Sequence, residues 1–251
     1  MANYYIGTSA WSQKEWGKKF FPPDVPEKDH LSYLAQHFNT VELNASFYRM
    51  QPESNFVKWH SETPADFQFA IKTSRYITHI KRLKDTNKAW KMLYDNSKPL
   101  KKKRGPFLVQ FPSFYKGTPD QIKRTEAFLK YARKLDKKVR LTFEFRSKEC
   151  FSDEMLAVLE NYKAALVFAD SSKYPHAPLD FAPADFVYFR LHGPRKLFGS
   201  SYKDEELRVW AKPMKKFNKS GKDVYAYFNN DMHAYAPENA KLLQQLVGYK
   251  R

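Results

Sequence analysis

Ionisable side chains recur near the ends of short stretches in which apolar and polar residues alternate. In TVELNASFYR, Thr40–Arg49, Val41 and Leu43 face one way while Glu42 and Asn44 face the other; this is the two-residue period of a strand. The same alternation gathers polar residues in four later stretches, namely Lys72 with Ser74, Thr142 with Glu144 and Arg146, Tyr188 with Arg190 and His192, and Tyr227 with Asn229. Several strands that end in ionisable residues predict one shared, partly buried polar site.

Two groups of side chains would meet at this site if the strands close into a barrel. We assign catalytic work to five ionisable residues, Glu42, Lys72, Glu144, Asp170 and His192. We assign substrate binding to a surrounding set that includes three arginines, namely Ser9, Trp11, Asn44, Arg75, His79, Gln110, Arg146, Arg190, Asn229, Asn230 and Asp231. The alternative is a balanced structural network, because an unpaired buried charge costs several kcal/mol. Apolar packing often replaces such a network without loss of stability, so this concentration of charge favours a functional site.

The cations of this site suit an anionic or phosphorylated ligand. Lys72, Arg146 and Arg190 match a phosphate or a carboxylate, to which arginine makes forked contacts. Glu42 and Glu144 could form an acid/base pair. A like charge nearby raises the pKa of one carboxyl while cations lower the pKa of both, so their separate roles stay open.

The sequence also leaves a divalent metal open. Glu42, Glu144, Asp170 and His192 could ligate a metal that activates water. The chain has no HExxH or CxxC spacing, and nearby arginines would compete for the carboxylates. It has no Walker loop and no GxGxxG motif either, so we expect no nucleotide cofactor.

Three functions agree with this set of residues. The first is a hydrolase-type enzyme that acts on a phosphate-bearing substrate, for instance by phosphodiester cleavage in nucleic acid, with Glu42 or Glu144 as base and the cations stabilising the phosphoryl charge. The second is a carbohydrate-processing enzyme that uses Glu42 and Glu144 as paired carboxylates. The third is a non-catalytic nucleic-acid or anion binder, whose affinity would depend on salt and on Lys101–Arg104.

The positive charge of the chain is concentrated in just over a quarter of its length. The net charge is +17, of which residues 72–140 carry +16, residues 1–71 carry −2 and residues 141–251 carry +3. Such an uneven field attracts polyanions, so the basic segment 72–140 could bind nucleic acid. The alternative is a solvated flank that only aids solubility.

Strands and helices alternate along the chain. Eight strands are predicted at Tyr4–Ala10, Thr40–Arg49, Phe67–Ser74, 105–112, Val139–Arg146, 165–170, Phe186–Gly193 and Val224–Asn230. Helices are predicted at Asp29–Phe38, from Pro52, at Thr86–Asn96, from the Thr118 capping box to Leu135, at Asp153–Tyr162, from Asp204 and from Pro237 to Gly248. Prolines leave no room for a sixth helix, and Pro213 should kink or break the seventh. We predict a single TIM-like barrel domain over residues 1–251, with its long loops at the carboxyl ends of the strands.

Length and cysteine content agree with this architecture. About 250 residues is typical of one eight-stranded α/β barrel, and the single Cys150 excludes an intramolecular disulfide. No apolar run approaches the ~20 residues of a membrane helix, and the first strand begins near Tyr4 without a preceding signal peptide. We expect a cytoplasmic protein that does not contact a membrane.

A series of short motifs, in order, resembles the YecE-like family, known as domain of unknown function seventy-two. The motifs lie at Ile6–Trp11, Phe38–Tyr48, Phe69–Lys72, Tyr76–His79, Gln110–Phe114, Glu144–Arg146, Arg190–Gly193 and Tyr227–Asp231. This chain departs from the family pattern at Ser147, where a histidine is expected and a candidate acid/base or ligand is lost. The resemblance implies a TIM-like barrel and does not supply a reaction.

Overall fold

Eight parallel strands form a closed barrel in the computed structural model, which describes residues 2–17 and 19–249. Neighbouring strands follow one another in chain order, and β8 pairs with β1 from Tyr4 opposite Val224 to Thr8 opposite Phe228. The strands are β1 Tyr4–Thr8, β2 Thr40–Leu43, β3 Gln68–Lys72, β4 Arg104–Gln110, β5 Leu141–Glu144, β6 Ala165–Asp170, β7 Phe186–Leu191 and β8 Asp223–Phe228. The predicted TIM-like α/β barrel is therefore confirmed.

Eight α-helices are described. Seven lie in the connections between strands, where the β2–β3 connection holds both the short α2 and α3, and one follows the last strand. They are α1 His30–His37, α2 Ala45–Tyr48, α3 Glu53–Ser61, α4 Asn87–Asn96, α5 Pro119–Leu135, α6 Asp153–Asn161, α7 Asp204–Lys219 and α8 Tyr235–Val247. The predicted capping box is present, since the Thr118 hydroxyl accepts from the Gln121 backbone and the Gln121 side chain accepts from the Thr118 backbone. Gly248 ends α8 at φ 79° in the left-handed region.

The two-residue alternation of each strand divides the side chains between two cores. Outward side chains such as Val41, Leu43 and Phe143 join the large core beneath the helices. Inward side chains form a smaller cluster inside the barrel, which includes Ala70, Leu108, Ala165, Val167, Ala169, Tyr188, Tyr225 and Tyr227. The polar residues of the alternating stretches therefore continue the inward face toward the carboxyl end of the barrel.

The structure shortens one predicted strand, shows a continuous helix at one predicted break and confirms that the sixth helix is missing. The predicted strand Thr40–Arg49 ends at Leu43, and the chain then turns into α2, whose Ser46 hydroxyl donates to the Leu43 carbonyl. Pro213 lies inside α7, which continues to Lys219 instead of breaking. Residues 171–185, between β6 and β7, contain no helix, as their prolines predict.

The basic segment 72–140 is split between the two ends of the barrel. Arg75 follows β3 at the carboxyl end, whereas Lys101 and Lys102 precede β4 and Lys137 and Lys138 precede β5 at the amino end. The basic residues of this segment, although contiguous in sequence, therefore do not form one surface, because each βα unit crosses the full height of the barrel. Within the described residues, no helix has the length and apolarity needed to cross a bilayer.

Candidate functional site

A cavity of about 780 Å³ lies where the carboxyl ends of the strands meet. Its size is typical of a small-molecule site, and we call it the mouth. Ten of the sixteen predicted site residues line it, namely Ser9, Asn44, Lys72, Arg75, His79, Gln110, Arg146, Arg190, Asn229 and Asp231. The convergence predicted from the alternation is thus present for most of the set.

A buried ionic group, which we call the buried cluster, consists of Glu42, Glu144, Arg190 and Tyr188. Arg190 makes a forked contact with Glu42, with Nε 3.1 Å from Oε2 and Nη2 2.8 Å from Oε1. Its Nη1 donates to Glu144 Oε2 at 2.6 Å, and the Tyr188 hydroxyl donates to Glu42 Oε2 at 2.6 Å. One guanidinium therefore joins two carboxylates, and all four side chains are at most 2 % exposed.

The electrostatics of the buried cluster keep Glu144 ionised. Burial alone would raise the pKa of this carboxyl, but the neighbouring Arg190 and Arg146 outweigh it and hold the pKa well below its usual range. Gln110 Nε2 also donates to Glu144 Oε1 at 2.8 Å. Both oxygens of Glu144 and both of Glu42 are thus engaged with donors, an arrangement that suits positioning better than proton transfer.

Three cations of the mouth are paired less closely with carboxylates than Arg190, which contacts both Glu42 and Glu144. Lys72 Nζ lies 4.2 Å from the centroid of the Phe47 ring, and no hydrogen-bond acceptor for it occurs in the described part of the chain. Arg146 stacks 4.3 Å above Tyr174 and reaches Glu144 only through Nε at 3.4 Å. Arg75 is exposed at the rim. This side of the mouth, formed by β3 to β5, is suited to an anion.

Burial changes the acidity of Lys72. Desolvation, with repulsion from Arg190 next in size, lowers the pKa of its ammonium to about 7. The side chain is 8 % exposed, through the mouth. It can therefore exist both as an ammonium and as a neutral amine near neutral pH.

Four polar atoms on the opposite side of the mouth are buried and have no hydrogen-bond partner among the described residues. They are Ser9 Oγ, Asn44 Oδ1, Asn229 Oδ1 and Asp231 Oδ1, which follow the neighbouring strands β8, β1 and β2. Buried polar atoms are nearly always hydrogen-bonded, so this side of the mouth is suited to a ligand that donates hydrogen bonds.

Asp231 is the only one of these four residues that titrates. Desolvation, together with the nearby negative charge of Glu42, raises the pKa of its carboxyl to about 7. Its backbone carbonyl accepts from Trp16 Nε1 at 3.1 Å, which fixes the chain beside the mouth. Two groups that titrate near neutrality, Asp231 and Lys72, therefore line one cavity, as in sites that carry out acid–base chemistry.

The two candidate histidines are neutral at pH 7. His79 lies in the π-helical turn Tyr76–Ile80, bonds Thr78 Oγ1 through Nδ1 at 2.9 Å, and has its pKa lowered to about 4 by burial and by Arg146. His192 is fully buried beside Phe198, and burial followed by Arg190 lowers its pKa to about 3. His79 lines the mouth, whereas His192 does not.

Three predicted site residues point elsewhere. Asp170 shares the outward phase of Phe168 on β6, and its Oδ2 accepts from Trp210 on α7 at 3.0 Å. Asn230 donates to Ser200 and to Asn239 on the outside of the barrel, at 2.9 and 2.8 Å. Trp11 packs edge-on against Trp59 of α3. The predicted convergence of Asp170 is wrong because a shift of one residue moves a strand side chain to the opposite face, whereas Trp11 and Asn230 lie beyond the ends of β1 and β8.

The proposed metal ligands are divided by the same geometry. Glu42 and Glu144 bind Arg190, while Asp170 points to α7. Across residues 2–17 and 19–249, no three His, Cys, Asp or Glu side chains lie close enough together to hold a metal ion.

The prediction from sequence omitted Tyr188, which shapes the site. Tyr188 shares the inward phase of Arg190, and that phase could have identified it as a partner of Glu42. Phe47 and Tyr48 line the mouth from α2, whereas Trp16, Phe20 and Phe21 belong to the core. The aromatic residues of the first loop are therefore mainly structural.

Eight parallel strands around a polar mouth define a TIM-barrel-like protein. The chain belongs to the family described as protein of unknown function DUF72, whose model matches residues 5–251. It is 25% identical to UPF0759 protein YunF of Bacillus subtilis, over 97% of this chain and 94% of that protein. It is 26% identical to UPF0759 protein YecE of Escherichia coli, over 44% of this chain and 38% of YecE.

Solved structures of the family have the same fold. A DUF72 family protein from Thermotoga maritima aligns with a TM-score of 0.87 and 25% identity, over 98% of this chain and 99% of that one. A xylose isomerase domain containing protein from Salmonella typhimurium aligns with a TM-score of 0.55 and 7% identity, over 88% and 91% of the two chains. The second likeness concerns the fold alone.

Proposed function

We propose that this protein is an enzyme that acts at the mouth on a small molecule with a phosphate at one end and hydroxyl groups at the other. The observation that carries the proposal is the polarity of the cavity. Lys72, Arg75 and Arg146 supply positive charge from β3 to β5, and the unpartnered oxygens lie beyond β8, β1 and β2. A phosphorylated sugar or polyol would complement both sides.

The reaction that these residues favour is hydrolysis of the phosphoester. Lys72, as the neutral amine, takes a proton from water while the water oxygen forms a bond to phosphorus. The ester P–O bond breaks on the side of the hydroxyl groups, and the Asp231 carboxylic acid gives its proton to the departing alkoxide. Arg146 stabilises the phosphoryl oxygens, and Arg190 keeps its neighbours in place through the buried cluster.

The buried cluster argues against the paired-glutamate alternative. A glycosidase needs one carboxylic acid and one carboxylate that reach the scissile bond. Glu42 and Glu144 share a guanidinium, and the pKa of Glu144 is lowered below its usual range by Arg190 and Arg146 against the effect of burial. Neither carboxyl contributes to the lining of the mouth.

Binding can be tested without knowledge of the substrate. Calorimetric titration should compare glucose 6-phosphate, glucose and inorganic phosphate on the wild type and on Arg146→Gln. We expect the sugar phosphate to bind more tightly than either half, and Arg146→Gln to remove that advantage. Equal affinity for sugar phosphate and inorganic phosphate would show that the unpartnered oxygens beyond β8, β1 and β2 do not contribute to binding.

Catalysis requires a panel of phosphomonoesters of sugars and polyols. Turnover should rise as Lys72 loses its proton and fall as Asp231 loses its proton, which gives a maximum near pH 7. Asp231→Asn should lower kcat by about 10²- to 10⁴-fold, while Asp24→Asn, which removes an exposed carboxylate, should leave it unchanged. Full activity in Asp231→Asn would contradict the role of Asp231 as the acid.

A further inference from the structure

The amino end of the barrel, opposite the mouth, has a groove of its own. Two depressions of about 350 and 480 Å³ adjoin there and share Lys138, Val139 and Arg140. We call their union the amino-end groove. Five exposed lysines border it, namely Lys101, Lys102, Lys137, Lys138 and Lys163.

Three acidic residues of this region, Asp136, Asp185 and Asp223, are already bound by arginines. Arg140 contacts Asp185 at 2.7 Å and Asp223 at 2.8 Å. Arg104 lies 3.7 Å from Asp136. None of the five lysines forms an ion pair within the part of the chain that the structure describes, so the groove carries a surplus of positive charge.

Two of the lysines occupy backbone positions that favour glycine. Lys101 has φ 53° and Lys163 has φ 49°, where a side chain with a Cβ is disfavoured. Each lies in the short turn that leads into a strand, β4 or β6 respectively. Replacing either with glycine removes its charge while relieving the backbone, which makes the two positions well suited to a test.

An aromatic ring lies on the floor of the groove. Tyr5 is half-buried there and stacks on Tyr225 with ring centroids 4.6 Å apart and an interplanar angle of 17°. The Tyr225 hydroxyl is 3.1 Å from Arg140 Nη1, which anchors the pair. A rigid tyrosine between exposed cations is the combination that binds single strands, in which bases stack and phosphates contact lysines.

We propose that the amino-end groove binds single-stranded nucleic acid, with the five lysines on its phosphates and Tyr5 beneath a base. A duplex keeps its bases stacked in its interior and cannot offer one to Tyr5. A bilayer surface cannot follow a concave groove. The site is separate from the mouth, so it does not depend on the proposed hydrolysis.

Fluorescence anisotropy of a labelled 20-nucleotide oligothymidylate with the full chain tests the proposal. Five phosphate contacts predict a slope of log affinity against log salt of about −3.5, or about 100-fold weaker binding at 200 mM than at 50 mM salt. The double variant Lys101→Gly with Lys163→Gly should lower the steepness of that slope by about 1.4. Tyr5→Leu should weaken binding about tenfold and leave the slope unchanged.

A control with the same change in net charge uses Lys215→Ala with Lys216→Ala, which removes two exposed lysines from α7. We expect it to keep the wild-type slope. Equal losses in both double variants, an equal affinity for duplex of the same length, or binding only to phosphatidylserine vesicles would each overturn the proposal. The glycine variants should retain the turnover at the mouth, which separates this test from that of the enzyme.

Discussion

Replacing Lys72 by methionine should stabilise the protein at neutral pH although it removes a residue of the mouth. Burial lowers the pKa of this ammonium from 10.5 to about 7, so the folded state disfavours the charged form by up to about 5 kcal/mol. Methionine avoids this cost and has a similar length. It loses the cation–π contact with Phe47, which contributes about 1–2 kcal/mol. The net gain is about 3 kcal/mol.

The gain should depend on pH in one direction. Below pH 7 the lysine is charged in both the folded and unfolded states, and the full penalty applies to the wild type. As pH rises from 7 to 10.5, the folded protein loses the proton before the unfolded chain does, so the penalty disappears. The two proteins should therefore have nearly equal stability at pH 10.5.

Urea unfolding followed by tryptophan fluorescence at pH 6 and pH 10.5 measures this difference. A gain of about 3 kcal/mol corresponds to a Tm increase of roughly 6–12 °C for a chain of this size. Lys123→Met removes an exposed lysine of α5 and should change stability by less than about 0.5 kcal/mol at either pH. A methionine variant of position 72 that is less stable at pH 6, or equally stabilised at both pH values, would refute the desolvation argument.

Two further predictions concern the interior of the barrel. Arg190→Met should destabilise the protein by about 3–5 kcal/mol in urea unfolding, because it leaves the two carboxylates of the buried cluster unpaired; a change below 1 kcal/mol would contradict that network. Gly7→Ala should cost several kcal/mol in the same measurement, since its Cβ would lie 2.2 Å from the Thr40 carbonyl oxygen between β1 and β2. Gly17→Ala, whose Cβ would lie 3.5 Å from the nearest atom, is the matched control and should be nearly neutral.

Local sequence signals were sufficient for most of the fold. Thr118, Pro119 and Gln121 specify the start of α5 through contacts within one turn. Strand alternation correctly identified Glu42 and Arg190 as inward residues, because a side chain's face depends only on its phase within the strand. The prediction that Asp170 faces inward is wrong, because Asp170 has the same phase within β6 as the outward Phe168.

The ionic partners and the placement of the charge needed the tertiary structure. Glu42 and Arg190 are 148 residues apart, and only closure of the barrel brings them within 2.8 Å. The same closure engages two carboxylates with one guanidinium and leaves Lys72 and Asp231 as groups that titrate near neutrality. It also places parts of one basic segment at opposite ends of the barrel.

The sequence by itself determined the barrel and the inward phase of most of the mouth, because those depend on local periodicity. Only the tertiary structure decided which charges are neutralised, because desolvation and pairing depend on contacts across distant strands.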